Sequence, residues 1–433
     1  MNICKFTNTY LPHIGGVARS VASFALDLRK LGHRVQVVTP IFANGDGSQV
    51  EKEDYVLRVP AIQNFNGSDF SVRIPLPYII DDTIDEFKPE VIHSHHPFLL
   101  GDAAFRAAYR RGLPLVFTHH TLYEQYVHYV SPETKSMKQL AINLATKYAN
   151  LCNLVIAPSG SIARLITERG VTSPIEVIPT GVDVEYFRSG DGESFRRLFG
   201  IPMDARVIGH LGRLAPEKNL EYMCEAVIKA LKKMPDQARF LVVGAGPADS
   251  LIRGMFQKES MEDRLIMAGS QSGRKLADAY NAMDLFVFSS ISETQGMVLT
   301  EAMAASTPVI ALDASGARDV VIDDQNGRLL PGDAPSQLFA ETIVDFFERK
   351  DNADPWREGA INTARKFSRD ASAEKLVKVY RSLHEKNLQG KFKSDKKLDA
   401  WDNLQRSMET EWKLLSEKMG SLIETVRNGN NDP

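Results

Sequence analysis

Two hydrophobic periods alternate along this chain. Short apolar runs bounded by polar residues, NICKFTN (Asn2–Asn8), RVQVVTP (Arg34–Pro40), PEVIHSHH (Pro89–His96) and LPLVFTHH (Leu113–His120), read as buried parallel strands. Between the first two, GGVARSVASFALDLRKLG (Gly15–Gly32) has the three-to-four spacing of an amphipathic helix and ends at a glycine. A second set begins at RVIGHLGRL (Arg206–Leu214). It continues through the helix NLEYMCEAVIKALKKM (Asn219–Met234) and the strands ARFLVVGAG (Ala238–Gly246), RLIMAG (Arg264–Gly269) and DLFVFSS (Asp284–Ser290). Strands alternating with helices call for a parallel sheet with crossover helices. The pattern predicts an α/β protein of two facing Rossmann-like domains, with a cleft between the carboxyl ends of their strands, where open sheets of this kind bind ligands.

The joint falls in IEVIPTGVDVEYFRSGDGES (Ile175–Ser194), where Pro179, Gly181 and the stretch from Gly190 to Gly192 supply turn chemistry. This gives an amino-terminal domain over 1–183, a carboxyl-terminal domain over 184–367 and a terminal helix over 368–390 that returns to the first domain. Residues 391–433 form an extension: after the lysine-rich KFKSDKK, Trp401, Leu404, Met408, Trp412, Leu415, Met419, Leu422 and Val426 recur three or four apart, with one longer step. Mixed charges on the other faces of that helix favour a partner helix over a lipid surface. Self-association into a homo-oligomer is the leading reading, and docking on the same chain is the alternative.

Candidate chemistry concentrates in SSISETQGMVLTEAMAAS (Ser289–Ser306). It places Glu293 on a loop after a strand, and Glu301 in the first turns of an amphipathic helix with small residues on one face. The N–H groups of Gly296, Met297 and Val298, at the positive end of that helix, suit a diphosphate, and the two carboxylates can accept hydrogen bonds from sugar hydroxyls. One segment thus offers donors for phosphate and acceptors for sugars. Arg213 and Lys218, in HLGRLAPEKN between a strand and a helix, put two cations at the mouth of the same domain. Across the cleft, Gly15 and Gly16 lie between the first strand and first helix, where they allow backbone conformations and close approach that a side chain would block. His119 and His120 end a strand, and neighbouring strand residues alternate sides, so only His120 is expected to face the cleft.

These motifs together resemble the retaining family-4 glycosyltransferases with the GT-B fold, whose hallmark is this glutamate pair. The resemblance implies that Glu293 binds hydroxyls of the donor sugar and Glu301 the nucleotide ribose. Arg213 and Lys218 would stabilise charge on the departing diphosphate, Gly15 and Gly16 would close over the phosphates, and His120 with Thr121 would lie against the donor sugar. It further implies that a hexose, glucose in particular, passes from a nucleotide diphosphate such as UDP to an acceptor hydroxyl with retention, by front-face substitution. HTLYEQYVHY (His120–Tyr129) together with SETQG (Ser292–Gly296) is most similar to the branch that glucosylates diacylglycerol, with Thr121, Tyr123, Tyr126 and His128 as acceptor-side residues. Related sequences use soluble or polysaccharide acceptors. Lipid-acting members carry a strongly basic helix in the amino domain, whereas here PETKSMKQLAINLATKYANLCN (Pro132–Asn153) holds only Lys135, Lys138 and Lys147 against Glu133.

Composition narrows the class further. With 433 residues and a formal net charge of −3, acidic and basic residues mixed throughout, the chain is long enough for two cores and has no field to attract nucleic acid. Three scattered cysteines without CxxC spacing fit a reduced, cytoplasmic compartment, with the inner membrane face as the site of work if the acceptor is a lipid. No run reaches the length of a spanning helix. The cluster His93, His95 and His96 lacks zinc spacing and no DxD motif ends a strand, so no metal or other cofactor is expected. A nicotinamide dehydrogenase reading of LVVGAGPADS fails for want of a third glycine. A sugar-nucleotide binding protein without activity would need a defect in the motif set, and none is visible.

Overall fold

The computed structural model describes residues 1–13, 15–41, 53–62, 72–73, 78–125, 135–291, 293–348 and 353–390. Tyr126, His128 and the extension 391–433 lie outside these residues.

The first half builds a seven-stranded parallel sheet from β1 (Asn2–Phe6), β2 (Arg34–Pro40), β3 (Val56–Val59), β4 (Val91–Ser94), β5 (Leu115–Thr118), β6 (Leu154–Ala157) and β7 (Ile175–Val177). Their order is β3-β2-β1-β4-β5-β6-β7. The second half builds a six-stranded parallel sheet from β8 (Val207–Leu211), β9 (Arg239–Val243), β10 (Leu265–Gly269), β11 (Leu285–Phe288), β12 (Val309–Leu312) and β13 (Gly327–Leu330), in the order β10-β9-β8-β11-β12-β13. Both orders reverse direction beside their first strand. At such a reversal the crossover helices leave to opposite faces and open a crevice at the strands' carboxyl ends. The two doubly wound domains expected from the alternation are therefore present, and the residues after β1, β4, β5, β8 and β11 are the ones placed to meet a ligand.

Alternation along each strand separates two buried faces. Cys4 and Phe6 of β1 pack with Ile92 and Phe117 on one face, while Ile3 packs with Val35, Val91 and Val116 on the other. Fully buried Phe240, Phe286 and Phe288 do the same work in the second sheet, each stabilising by roughly 1.5–3 kcal/mol. The joint is more ordered than turn chemistry alone suggests. It contains two short helices, Val184–Arg188 and Gly192–Leu198, because Asp183 and Asp191 cap them by accepting from the N–H groups of Tyr186 (3.1 Å) and Ser194 (2.9 Å).

The helix Arg369–Leu388 recrosses to the first domain. Its Leu376, Val377, Tyr380 and Leu383 join the core beneath β1 and β2, and Arg369 binds both oxygens of Asp27 on the first helix (2.6 and 2.8 Å). Backbone bonds from Val182 N–H to the Phe367 carbonyl (2.8 Å) and from Arg369 N–H to the Val182 carbonyl (3.1 Å) tie the two crossings together.

Candidate active site

The helix Met297–Ala304 starts at Gly296, whose backbone is left-handed (φ 72°, ψ 52°); a Cβ there would also come within 2.9 Å of Leu299. Only glycine meets both demands. The helix is not amphipathic as expected: Leu299 to Ala304 are all buried, because its small residues let it sink between the sheet and the helix Ala353–Lys366. Glu301 is carried inside with it. The Tyr280 hydroxyl donates to Glu301 Oε2 (2.8 Å), and Arg19 of the first helix, in the other domain, donates to Oε1. Burial and the adjacent carboxylate push the Tyr280 phenol well above its ordinary value, which keeps it a donor.

The loop before that helix gives each residue a different task. Glu293 accepts from Lys218 Nζ and from Ser290 Oγ (3.3 Å). Thr294 Oγ1 donates across the cleft to the His120 carbonyl (2.9 Å), and the Thr294 carbonyl accepts from Ser159 Oγ (2.8 Å). Gln295 pairs with the Thr180 backbone twice, accepting its N–H and donating to its carbonyl, both at 2.7 Å. Lys218 ends a 3-10 turn, Pro216–Lys218, followed by left-handed Asn219. Ser289 Oγ, just beyond β11, reaches the Lys218 and Asn219 carbonyls (3.1 and 3.0 Å) and so fixes the turn beside Glu293. Arg213 lies at the outer edge, bonded to Glu217 one turn on.

The amino-domain wall is built differently. His93 and Lys5 are register partners on β4 and β1, and both are buried. His93 bonds to the Tyr380 hydroxyl (2.5 Å) and to Thr118 Oγ1 (2.7 Å), and its ring stacks on His95 (4.2 Å between centroids). His95 Nδ1 in turn lies 2.9 Å from His120 Nε2. Burial pushes His93, His95 and His120 well below the usual histidine range and pulls Lys5 down to about 7. His119 takes the opposite face, with Phe117 and Tyr123 against its ring, as alternation requires. Tyr123 packs there and on Phe98, turned with His119 into the core. Thr121 is half-buried directly after His120. Among the described residues, no three His, Cys, Asp or Glu side chains converge so as to hold a metal.

Gly15 and Gly16 differ from expectation. Gly15 is extended (φ −174°, ψ 158°), a conformation open to any residue, and Gly16 is the first residue of the helix with nothing within 4 Å of the place a Cβ would take. The pair is thus not demanded by the backbone. It leaves open room at a helix amino terminus.

The structure therefore brings Glu293, Lys218, Gly296 and the His120 carbonyl into one neighbourhood, with Glu301 and Arg19 beside it. Pattern reading missed Arg19, Thr294, Gln295 and Tyr280. The first looked like the polar face of a surface helix, Thr294 and Gln295 matter only once the domains meet, and Tyr280 reads as an ordinary core aromatic; the one available signal was that polar Thr294 and Gln295 sit inside the Glu-to-Gly motif.

Residues 14–186 match the model of Glycosyltransferase Family 4, and residues 191–367 that of Glycosyl transferases group 1. The GDP-mannose-dependent alpha-mannosyltransferase of Mycobacterium tuberculosis is 30% identical over 340 residues, which cover 76% of this chain and 84% of that protein. The alpha-monoglucosyldiacylglycerol synthase of Streptococcus pneumoniae is 29% identical over 341 residues, 77% of this chain and 76% of that one. Among solved structures, sucrose-phosphate synthase from Thermosynechococcus elongatus aligns with a TM-score of 0.72 at 21% identity, covering 88% of this chain and 98% of that one. HepE of Anabaena in complex with UDP aligns with a TM-score of 0.71 at 23% identity, covering 88% and 100%. The chain belongs to the family-4 glycosyltransferases of GT-B fold, is related to their diacylglycerol glucosyltransferase branch, and acts on nucleotide sugars.

Proposed function

We propose that the protein transfers glucose from UDP-glucose to a hydroxyl of diacylglycerol with retention of the anomeric configuration. The observation that carries this reading is the likeness to two alpha-monoglucosyldiacylglycerol synthases, that of Streptococcus pneumoniae and that of Acholeplasma laidlawii, the latter 25% identical over 89% of this chain and 98% of its own length. In the proposed step the bond from the sugar's anomeric carbon to the diphosphate oxygen breaks, the acceptor oxygen bonds to that carbon on the same face, and the acceptor proton passes to the departing phosphate. UDP leaves. Lys218 and Arg213 act on the growing negative charge, Glu293 positions sugar hydroxyls, Glu301 holds the ribose, and His120 lines the sugar from the other domain. Electrostatic stabilisation of this type supplies several kcal/mol.

No cofactor takes part in this reading: the two cations and the helix amino end at Gly296 act in place of a divalent ion. Among the described residues no helix is long and apolar enough to cross a membrane. In this reading the protein meets its lipid acceptor at the cytoplasmic membrane surface, with the stripe in 391–433 pairing two copies.

The test is product analysis with UDP-glucose or GDP-mannose as donor, and diacylglycerol vesicles or soluble sugars as acceptor, with and without EDTA. A glucosyl lipid from UDP-glucose, formed equally well with chelator, is the expected result. Exclusive use of GDP-mannose, the donor named for the mycobacterial relative, would overturn the donor assignment. Activity lost to EDTA and restored by manganese would overturn the metal-free chemistry.

A further inference from the structure

Tyr280 donates to one oxygen of Glu301 and Arg19 to the other, so a ribose hydroxyl that comes to this nearly buried carboxylate from the cleft meets one of these two donors first. Tyr280 is fully buried in the core of the second domain and cannot withdraw without leaving a cavity. Arg19 has 40% of its side chain exposed, while that of Glu301 has 3%, so the arginine approaches from the open side and can leave.

The guanidinium's surroundings fix where it can go. Arg19 lies one turn into the first helix, its N–H bonded to the Gly15 carbonyl (3.0 Å), hence beside the open room at Gly16. Its present partner lies one turn beyond the Gly296 cap of the facing helix. Both helix amino termini repel a freed cation, so without a ligand the pair to Glu301 holds. A diphosphate between them reverses that field and offers the bidentate acceptor geometry that a guanidinium matches.

We infer that Arg19 is a donor-binding residue that exchanges partners: it neutralises Glu301 across the empty cleft, yields that carboxylate to the ribose, and turns onto the diphosphate. The inference rests on the donor reading above and adds a third cation, from the opposite domain, to Arg213 and Lys218. One exchange couples recognition of ribose to recognition of phosphate, and replaces a direct link between domains by a link through the ligand.

The test is calorimetry on the full chain with UDP, GDP and ADP and with the matching nucleosides. Arg19→Ala weakens the diphosphate that the wild type binds by about ten- to a hundredfold, the range of a charge-assisted hydrogen bond. It leaves the nucleoside unchanged or tighter, because ribose no longer competes with a guanidinium; Arg19→Lys is intermediate. Since Arg19→Ala leaves a buried carboxylate unpaired, the same comparison is made in Glu301→Gln, where removing Arg19 still costs diphosphate affinity and spares the nucleoside. Equal diphosphate affinity with and without Arg19 in both backgrounds overturns the inference and leaves the donor reading standing. So does an equal loss for nucleoside and diphosphate. A wild type that binds none of the three diphosphates overturns both.

Discussion

Lys218 and Glu293 meet on the carboxyl-domain wall with 18% and 21% of their side chains in water, whereas Lys5 and His93 lie side by side across the amino-domain wall with 0% and 1% exposed. In the first pair, opposite charges face each other within reach of water. In the second, no carboxylate compensates, and burial, helped by repulsion from Lys5 and the neighbouring imidazoles, takes the three linked histidines well below their usual range. The difference divides the labour. A solvated ion pair can be opened by a diphosphate that takes the lysine and by sugar hydroxyls that take the carboxylate. A buried set of lowered bases offers fixed hydrogen-bonding groups and little charge, which suits the uncharged face of a sugar.

The comparison breaks most visibly at Lys218. Lys218→Ala is expected to lower kcat by about a hundred- to a thousandfold with little change in KM, because leaving-group charge is greatest in the transition state. Lys218→Ala combined with Glu293→Ala should lose less than the product of the two single losses, since the residues touch. A loss confined to KM would mean that the lysine holds phosphate in the ground state only.

The amino wall predicts a stability effect instead. Each buried histidine takes up its proton near pH 6.5 in the unfolded chain but far lower in the folded one, about 4 for His119 and about 3 for His96. Stability is therefore intact above pH 6.5 and falls as the pH drops below it, at up to about 1.4 kcal/mol per unit for each such group. Urea midpoints that stay level between pH 7 and pH 5 would contradict the burial of charge. Lys5→Met should stabilise by on the order of 3 kcal/mol at pH 7, where the folded chain carries the cost of burying an amine. That gain must shrink as the pH rises towards 10.5, because the unfolded lysine then also loses its proton.

The two walls were unequally legible in the sequence. Glu293 to Gly296 are consecutive, and the strand before them and helix after them fix their surroundings locally, so the motif and its placement at a strand end could be read directly. The amino wall combines Lys5 from β1, His93 from β4 with His95 just beyond it, Thr118 from β5 and Tyr380 from the terminal helix, and nothing in the order of residues says that these elements share one face. Arg19 shows the limit most sharply. Three residues past a glycine pair it reads as the solvated side of an amphipathic helix, and its partner lies 282 positions away in the other domain. Alternation within a strand, by contrast, correctly sent His119 and His120 to opposite faces.

Smaller losses are expected where single nucleotide contacts are removed. Glu301→Ala should weaken nucleotide binding by about ten- to a hundredfold through loss of a charged acceptor, while Glu293→Ala spares free UDP and damages turnover of the sugar nucleotide. Parallel losses for both ligands in both variants would show that the sugar and ribose roles have been misassigned.

The smallest effect belongs to the contact that joins the walls. Thr294 Oγ1 donates to the His120 carbonyl at 2.9 Å, one neutral hydrogen bond between the loop that carries Glu293 and the strand end that carries the histidine. Thr294→Val keeps the shape and removes the donor, which should cost about 0.5–1.5 kcal/mol, and a carbonyl left at a half-open cleft can recruit water and bring the loss to the low end. Its signature should lie in catalysis more than in stability. With the strand end free to shift against the sugar while Lys218 and Glu293 keep their places, kcat should fall about three- to tenfold and free UDP should bind as before. If UDP affinity fell with kcat, the bond would be serving the nucleotide pocket as a whole, and the division between a charged wall for the diphosphate and a neutral wall for the sugar would have to be redrawn.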